Sequence, residues 1–115
     1  MAMDIAVRVY ELTEAFPKRE QYGLAQQLRR ASVSISSNIA EGYGRKTHKQ
    51  TFHFLENALG SAFEVETQLE LATRLGFLDS QAAAILGEIK SIGKGLDSLM
   101  RYVERDSHEY ATPRP

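Results

Sequence analysis

The side chains that could do acid–base or metal chemistry are few and poorly spaced for it. Among the three histidines, His48 and His53 stand five residues apart, which is about 140° around a helix, so they do not converge on one metal ion. Glu66 and Glu70 form an i,i+4 carboxylate pair without a histidine partner. Di-iron bundles instead combine Glu-x-x-His motifs on two helices with further glutamates. We therefore expect no metal site and no cofactor.

Nucleophilic catalysis is equally hard to place in this chain. The absence of cysteine excludes thiolate nucleophiles, disulfides and thiolate metal sites. The serines at positions 32, 34, 36 and 37 have no histidine at a hydrolase-like spacing. No nucleophile elbow and no P-loop motif occurs. The sequence predicts a protein that has no catalytic residues and is not an enzyme.

One segment is better suited to binding a phosphate. Residues 42–49, Gly-Tyr-Gly-Arg-Lys-Thr-His-Lys, join two predicted helices. A helix N-terminus flanked by cations can bind an anion, and an aromatic ring can stack on a base. The alternative is a capped loop with solvated charges. The predicted nucleic-acid site consists of Arg29, Arg30, Tyr43, Arg45, Lys46 and Lys49.

Charge is distributed unevenly along the chain, although the formal net charge is only −1. Residues 21–53 carry a net charge of +4 and residues 54–80 a net charge of −4. A basic block can mark a polyanion site. The two blocks can also neutralise each other within one bundle, for instance if Arg29 and Arg30 pair with Glu41 and Glu66. The sequence leaves both interpretations open.

Length and composition predict one globular domain. A chain of 115 residues with 43% hydrophobic side chains can bury a core without disulfides or metals. Its apolar runs are much shorter than the ~20 residues of a membrane-spanning helix. The N-terminus lacks the charged and apolar regions of a signal peptide. We expect a cytoplasmic protein with no membrane partner.

Four segments carry apolar residues at helical spacing. They cover approximately residues 4–16, 22–41, 47–75 and 80–104. Pro17, Gly42 and Gly76 stand at helix ends, and short loops make successive helices antiparallel. The prediction is an all-α, up-down-up-down, left-handed four-helix bundle over residues 1–104, followed by a disordered tail at 105–115.

Two predicted helices carry more apolar surface than an isolated bundle needs. The second helix has small residues and the apolar Val33 on its back, and the third has a second apolar stripe about 100° from the first. We predict that these faces pack against another copy of the chain. The alternative is that they pack against two neighbours within one chain. The predicted oligomer interface is Val33, Ala40, Phe54, Ala58, Val65 and Ala72.

Two details of the helices need a packing explanation. Gly60, Gly93 and Gly95 lie inside helices, where each costs about 1 kcal/mol relative to alanine, so we expect close helix contacts there. Glu66 falls in a core seam, where a lone carboxylate is costly. We expect it to pair with Arg30 or to turn to the flank.

A series of short motifs carries a family resemblance. The motifs, in order, are Tyr10-Glu11-Leu12-Thr13, Phe16-Pro17, Gln27-Leu28-Arg29-Arg30-Ala31, Ser37-Asn38-Ile39-Ala40-Glu41-Gly42, Gly44-Arg45 and Ala58-Leu59-Gly60-Ser61. Across about residues 6–103 the chain closely resembles the four-helix-bundle family of the 23S rRNA intervening-sequence protein. It departs from that family at Ser36, where proline is common, and in lacking an aromatic lead-in before the first helix.

The resemblance implies a bundle that assembles as a ring, a homopentamer, with no catalytic residues. The chain is also similar to the accessory protein of diversity-generating retroelements, which binds nucleic acid and a reverse transcriptase. The resemblance implies nucleic-acid contacts at Arg29, Arg30, Arg45 and Lys46. We predict a self-associating, non-enzymatic protein that binds nucleic acid, RNA before DNA, at the loop between helices two and three. The alternative is a scaffold that recruits a partner protein without contacting nucleic acid.

Overall fold

Four α-helices make up most of the protein. The computed structural model describes the backbone of residues 1–111 and the side chains of residues 1–106. Within that part of the chain there is no strand, and the all-α prediction is confirmed. The helices are α1 (Ala2–Thr13), α2 (Leu24–Tyr43), α3 (His48–Arg74) and α4 (Gln81–Ala111), with a short 3-10 turn at Lys18–Glu20.

Local hydrogen bonds fix both ends of α3. At its start, the Thr47 hydroxyl accepts a hydrogen bond from the Gln50 amide at 3.1 Å, as expected for a capping threonine. At its end, Gly76 adopts a positive φ of 81°, and the Phe77 amide donates to the Ala72 carbonyl at 2.9 Å. This is a Schellman motif, which depends on the left-handed conformation that glycine adopts without steric cost.

The first helix ends earlier than predicted. It stops at Thr13, and Phe16 lies beyond it but is still buried in the core. The Thr13 hydroxyl donates to the Val9 carbonyl at 2.8 Å. The Phe16 ring packs against the Phe77 ring, with 5.5 Å between the two ring centroids. The helical spacing of Phe16 therefore reflects a core position, although that residue is not helical.

The last helix continues further than predicted. Helix α4 extends past Glu104 to Ala111, so the backbone of residues 105–111, expected to belong to a disordered tail, is helical. The segment has no glycine and no proline before Pro113, so nothing breaks a helix that is already nucleated. A contact of 2.6 Å between the His48 Nε2 and the Asp106 carboxylate also joins this end of α4 to α3. Residues 112–115 lie outside the described residues.

Helices α2, α3 and α4 are successive antiparallel neighbours. As residue numbers rise along one helix, the residues that they contact on the next helix have falling numbers. The contacting pairs are Ser34–Ser61 and Gly42–Thr51 between α2 and α3, and Glu66–Lys90 and His48–Asp106 between α3 and α4. Helix α1 packs mainly on α2 and forms an ion pair with α4 between Arg8 and Glu88.

Helix α3 buries two faces within one chain. Ala58, Val65 and Ala72 are each 0% exposed, because α2 and α4 flank α3 on both sides. The prediction that these three residues face another copy is therefore wrong. Phe54, from the same stripe, is half-buried under the Arg45 guanidinium, which lies 5.3 Å from its ring centre. Val33 and Ala40 on α2 remain exposed.

Open space, not close packing, surrounds two of the three helical glycines at which close helix contacts were expected. A methyl group added at Gly60 or Gly95 would meet no atom within 4 Å outside its own helix turn. At Gly93 it would make an ordinary contact with Leu59 at 3.7 Å. Close helix approach therefore does not account for Gly60 or Gly95 within one chain.

Across the described residues, no helix combines the length and hydropathy needed to cross a bilayer.

Replacing two glycines by alanine should have opposite effects on stability. Gly60→Ala should raise the free energy of unfolding by about 0.5–1 kcal/mol, because it improves helix propensity in open space. Gly76→Ala should lower it by about 1–2 kcal/mol, because it forces a side chain into the left-handed region. Urea unfolding followed by circular dichroism measures both. A destabilising Gly60→Ala would contradict the open environment.

Candidate nucleic-acid interface

Arg29 belongs to the joint between α1 and α2. Its Nε donates to the Thr13 hydroxyl at 2.8 Å, and its Nη2 donates to the Gln21 side-chain oxygen at 3.0 Å. Its guanidinium also lies 5.5 Å from the centre of the Tyr10 ring. These contacts use the planar donor fork inside the chain. We therefore assign Arg29 a structural role rather than a phosphate contact.

Arg30 is exposed but lies far from the loop cations. It borders a polar cavity between α2 and α3, together with Gln27, Ser34 and Gln68. The helical rise puts it roughly 20 Å along α2 from the α2–α3 loop. The structure therefore does not gather the predicted arginines into one patch with the lysines of that loop.

Arg45 closes the C-terminal end of α2. Its Nε donates to the Glu41 carbonyl at 3.1 Å, and its Nη2 lies 3.2 Å from the Glu41 carboxylate. A cation at this position also suits the negative end of the helix dipole. Together with its contact to Phe54, these bonds make Arg45 a support for the loop.

Lys46 and Lys49 are the loop cations that remain available. Both are exposed, and within residues 1–106 neither forms an ion pair. They flank the first turn of α3, whose N–H groups lack intrahelical partners apart from the one that Thr47 caps. Tyr43, one turn earlier in the chain, is 74% exposed. The predicted site is thus reduced to Tyr43, Lys46 and Lys49.

Helix α4 adds a tyrosine that the sequence analysis missed. Tyr102 is 63% exposed and lines, with Tyr43, a cavity of about 250 Å³ at this end of the bundle. Leu55 and Val103 supply apolar lining, and His48 contributes a polar ring. Tyr102 lies beside the core stripe of α4. The antiparallel register of α3 and α4 places Tyr102 beside the α2–α3 loop, and helical periodicity in the sequence does not give that register.

The two carboxylates that were candidates to neutralise Arg29 and Arg30 have other partners. Glu41 pairs with Arg45, and Glu66 lies 3.8 Å from Lys90 of α4. Neither therefore pairs with Arg29 or Arg30, which was the open question from the sequence. Glu66 is turned to the flank of the bundle, one of the two arrangements expected. In the described part of the chain, no three histidine or carboxylate side chains lie close enough to hold a metal ion.

Comparison with known proteins identifies the family. Residues 1–98 match the family described as 23S rRNA-intervening sequence protein. The chain belongs to this family. The resemblance inferred from the motifs is thereby confirmed, over nearly the same residues. No match was found among curated proteins.

One solved structure has the same fold as this member of the 23S rRNA-intervening sequence protein family. It is a crystal structure at 1.70 Å of a protein of unknown function from the S23 ribosomal protein family of Bacteroides thetaiotaomicron. The two chains are 26% identical and superpose with a TM-score of 0.80. The match covers 87% of this chain and 91% of the other. The shared architecture therefore extends over most of both proteins.

Arg29 and Arg30 should respond differently to the same substitution. Arg29→Met should lower the free energy of unfolding by about 1–2 kcal/mol, because the Thr13 and Gln21 groups lose a charged donor. Arg30→Met is the matched control and should change it by less than about 0.5 kcal/mol. Urea unfolding of both variants checks this. Equal effects of the two substitutions would contradict the structural role of Arg29.

Proposed function

We propose that this protein is a cytoplasmic, non-enzymatic RNA-binding protein that contacts RNA through the α2–α3 loop. The observation that carries the proposal is the pair of exposed lysines, Lys46 and Lys49, beside the N-terminus of α3. Among the described acids at this end of the bundle, Glu41 pairs with Arg45, and the Asp106 carboxylate lies against the His48 ring. Two exposed lysines with no ion pair among residues 1–106 therefore stand at this loop, although the whole chain is nearly neutral.

The chemistry of this surface suits a phosphate backbone. Lysine ammonium groups and the N–H groups of a helix N-terminus both attract phosphate oxygens. The exposed aromatic ring of Tyr43 can stack on an unpaired base, a mode typical of RNA loops and single strands. This favours RNA over duplex DNA, whose bases remain stacked.

We also propose that copies of the chain assemble into a ring, a homopentamer in the form that the family resemblance implies. Support comes from α1 and α2, which leave apolar side chains in water. Val33 of α2 is 41% exposed, and Met3 and Val7 of α1 are exposed as well. A ring repeats the Lys46 and Lys49 pair several times, so weak single contacts gain avidity.

RNA binding should be steeply salt-dependent and should depend on the two lysines. Fluorescence anisotropy of a labelled single-stranded RNA, titrated at several salt concentrations, measures both. Each phosphate contact contributes about 0.7 to the slope of log K against log salt for a single strand. The double variant Lys46→Ala with Lys49→Ala should therefore weaken binding and lower the slope by about 1.4 per bound copy.

A matched variant controls for net charge in this experiment. Lys18→Ala with Lys94→Ala removes two exposed lysines elsewhere on the chain and changes the net charge equally. It should bind RNA like the unmodified protein. Absence of RNA binding at low salt, or equal losses in both double variants, would contradict the proposed site. In the first case, capture of a partner protein becomes the function to test.

Self-association should depend on the outer face of α2. Val33→Glu should shift the protein to smaller species in sedimentation velocity, because it puts a charge into an apolar contact. Ser98→Glu on α4 is the control, since Ser98 is exposed away from that face. A monomeric unmodified protein at micromolar concentration would contradict the ring, as would a Val33→Glu variant that keeps the native size.

A further inference from the structure

We infer that the cavity between Tyr43 and Tyr102 receives one unpaired base of the RNA. The inference rests on the proposed function and names its ligand: a single strand, or a loop, that presents a base out of its stack. The two tyrosines belong to different helices, α2 and α4, and line the same cavity.

The size of the cavity suits one planar ring system. Its volume of about 250 Å³ falls below the ~300–1,000 Å³ of sites that hold drug-sized ligands. Apolar side chains, among them the buried Leu55 and Val103, form part of its wall. A base brings an apolar face together with polar edges, so it can use such a wall.

Both tyrosine rings are accessible to a ligand from solvent. Tyr43 is 74% exposed and Tyr102 is 63% exposed, so much of each ring surface is available to a ligand. Stacking on such rings tolerates every base, because every base has a π-face. The phenol hydroxyl groups remain able to exchange hydrogen bonds with water or with a base edge.

The polar groups of the cavity leave acceptors for a base edge. The Thr51 hydroxyl donates its proton to the Gly42 carbonyl at 3.0 Å, so its free lone pairs can accept from an exocyclic amino group. The His48 ring is held by Asp106, with Nε2 lying 2.6 Å from the carboxylate. These bonds fix the polar part of the wall before any ligand binds, which reduces the entropic cost of binding.

The neighbouring lysines connect the cavity to the backbone of the same strand. Lys46 and Lys49 bracket His48, which lines the cavity. We expect a nucleotide whose base enters the cavity to bring its phosphate toward these lysines, because both stand within two residues of His48 in the chain. A base inside a duplex cannot reach this cavity unless it leaves its stack, at a cost of a few kcal/mol. The arrangement therefore selects single-stranded over double-stranded RNA.

The test uses a short single-stranded RNA with a fluorescent purine analogue, 2-aminopurine, at one position. Tyr43→Leu and Tyr102→Leu should each weaken binding by roughly 5- to 150-fold, the range that stacking on an aromatic side chain supplies. Tyr43→Phe and Tyr102→Phe should largely restore affinity, because phenylalanine keeps the ring. Tyr22→Leu is the matched control, since Tyr22 is 90% exposed near the start of α2, away from the loop. Thermal unfolding checks that every variant folds.

Two further ligands separate failure of this inference from failure of the proposed function. A duplex of the same sequence and a single strand with an abasic site at the probe position should both bind more weakly than the intact strand. Equal binding of all three, unaffected by the tyrosine variants but still salt-dependent, would overturn the base pocket and leave the RNA-binding proposal standing. No binding of any RNA would overturn both, and binding of an apolar peptide to the cavity instead would indicate a protein partner.

Discussion

The double burial of α3 is the constraint on which the rest of the structure depends. One face of α3 packs on α2 and another on α4, so its register must satisfy both neighbours at once. Small side chains make this possible: Ala58 and Ala72 are fully buried and allow the helices to approach closely. The Ser34–Ser61 hydrogen bond of 2.8 Å satisfies two hydroxyls in the α2–α3 contact, where an unpaired polar group would be costly. This register places the C-terminal parts of α2 and α4 beside the N-terminal end of α3.

Three arginines of α2 and its C-terminal loop show how position decides the use of one side-chain type. Arg29 connects α2 to the end of α1 through Thr13 and Gln21. Arg45 closes the other end of the helix on Glu41. Arg30, next to Arg29 in sequence, is exposed because a helix turns about 100° per residue. Arg29 and Arg45 thus stabilise the fold through contacts within the chain. Lys46 and Lys49 of the loop remain exposed.

Local signals in the sequence predicted most of the fold, while the site depended on contacts between helices. Thr47 and Gly76 act through hydrogen bonds within a few residues, so their roles as helix ends could be inferred from spacing. The second apolar stripe of α3 predicts an oligomer interface at Val65 only if that helix has a single neighbour within the chain. That condition fails, because α3 has two neighbours in the same chain. Tyr102 was missed because its relation to Tyr43 exists only in the α3–α4 register.

A nearly neutral protein can still present a binding surface for a polyanion, because a phosphate responds to the local field rather than to the net charge. At 0.15 M salt the Debye length is about 8 Å, so the acids between residues 54 and 80 that lie beyond the first turns of α3 are largely screened from Lys46 and Lys49. Among the described acids at this end of the bundle, Glu41 pairs with Arg45 and the Asp106 carboxylate lies against the His48 ring. The same contacts that stabilise this end of the bundle therefore also occupy these two carboxylates, while Lys46 and Lys49 remain exposed. The stability of this end of the bundle and the RNA binding that we propose for it would consequently depend on one set of contacts.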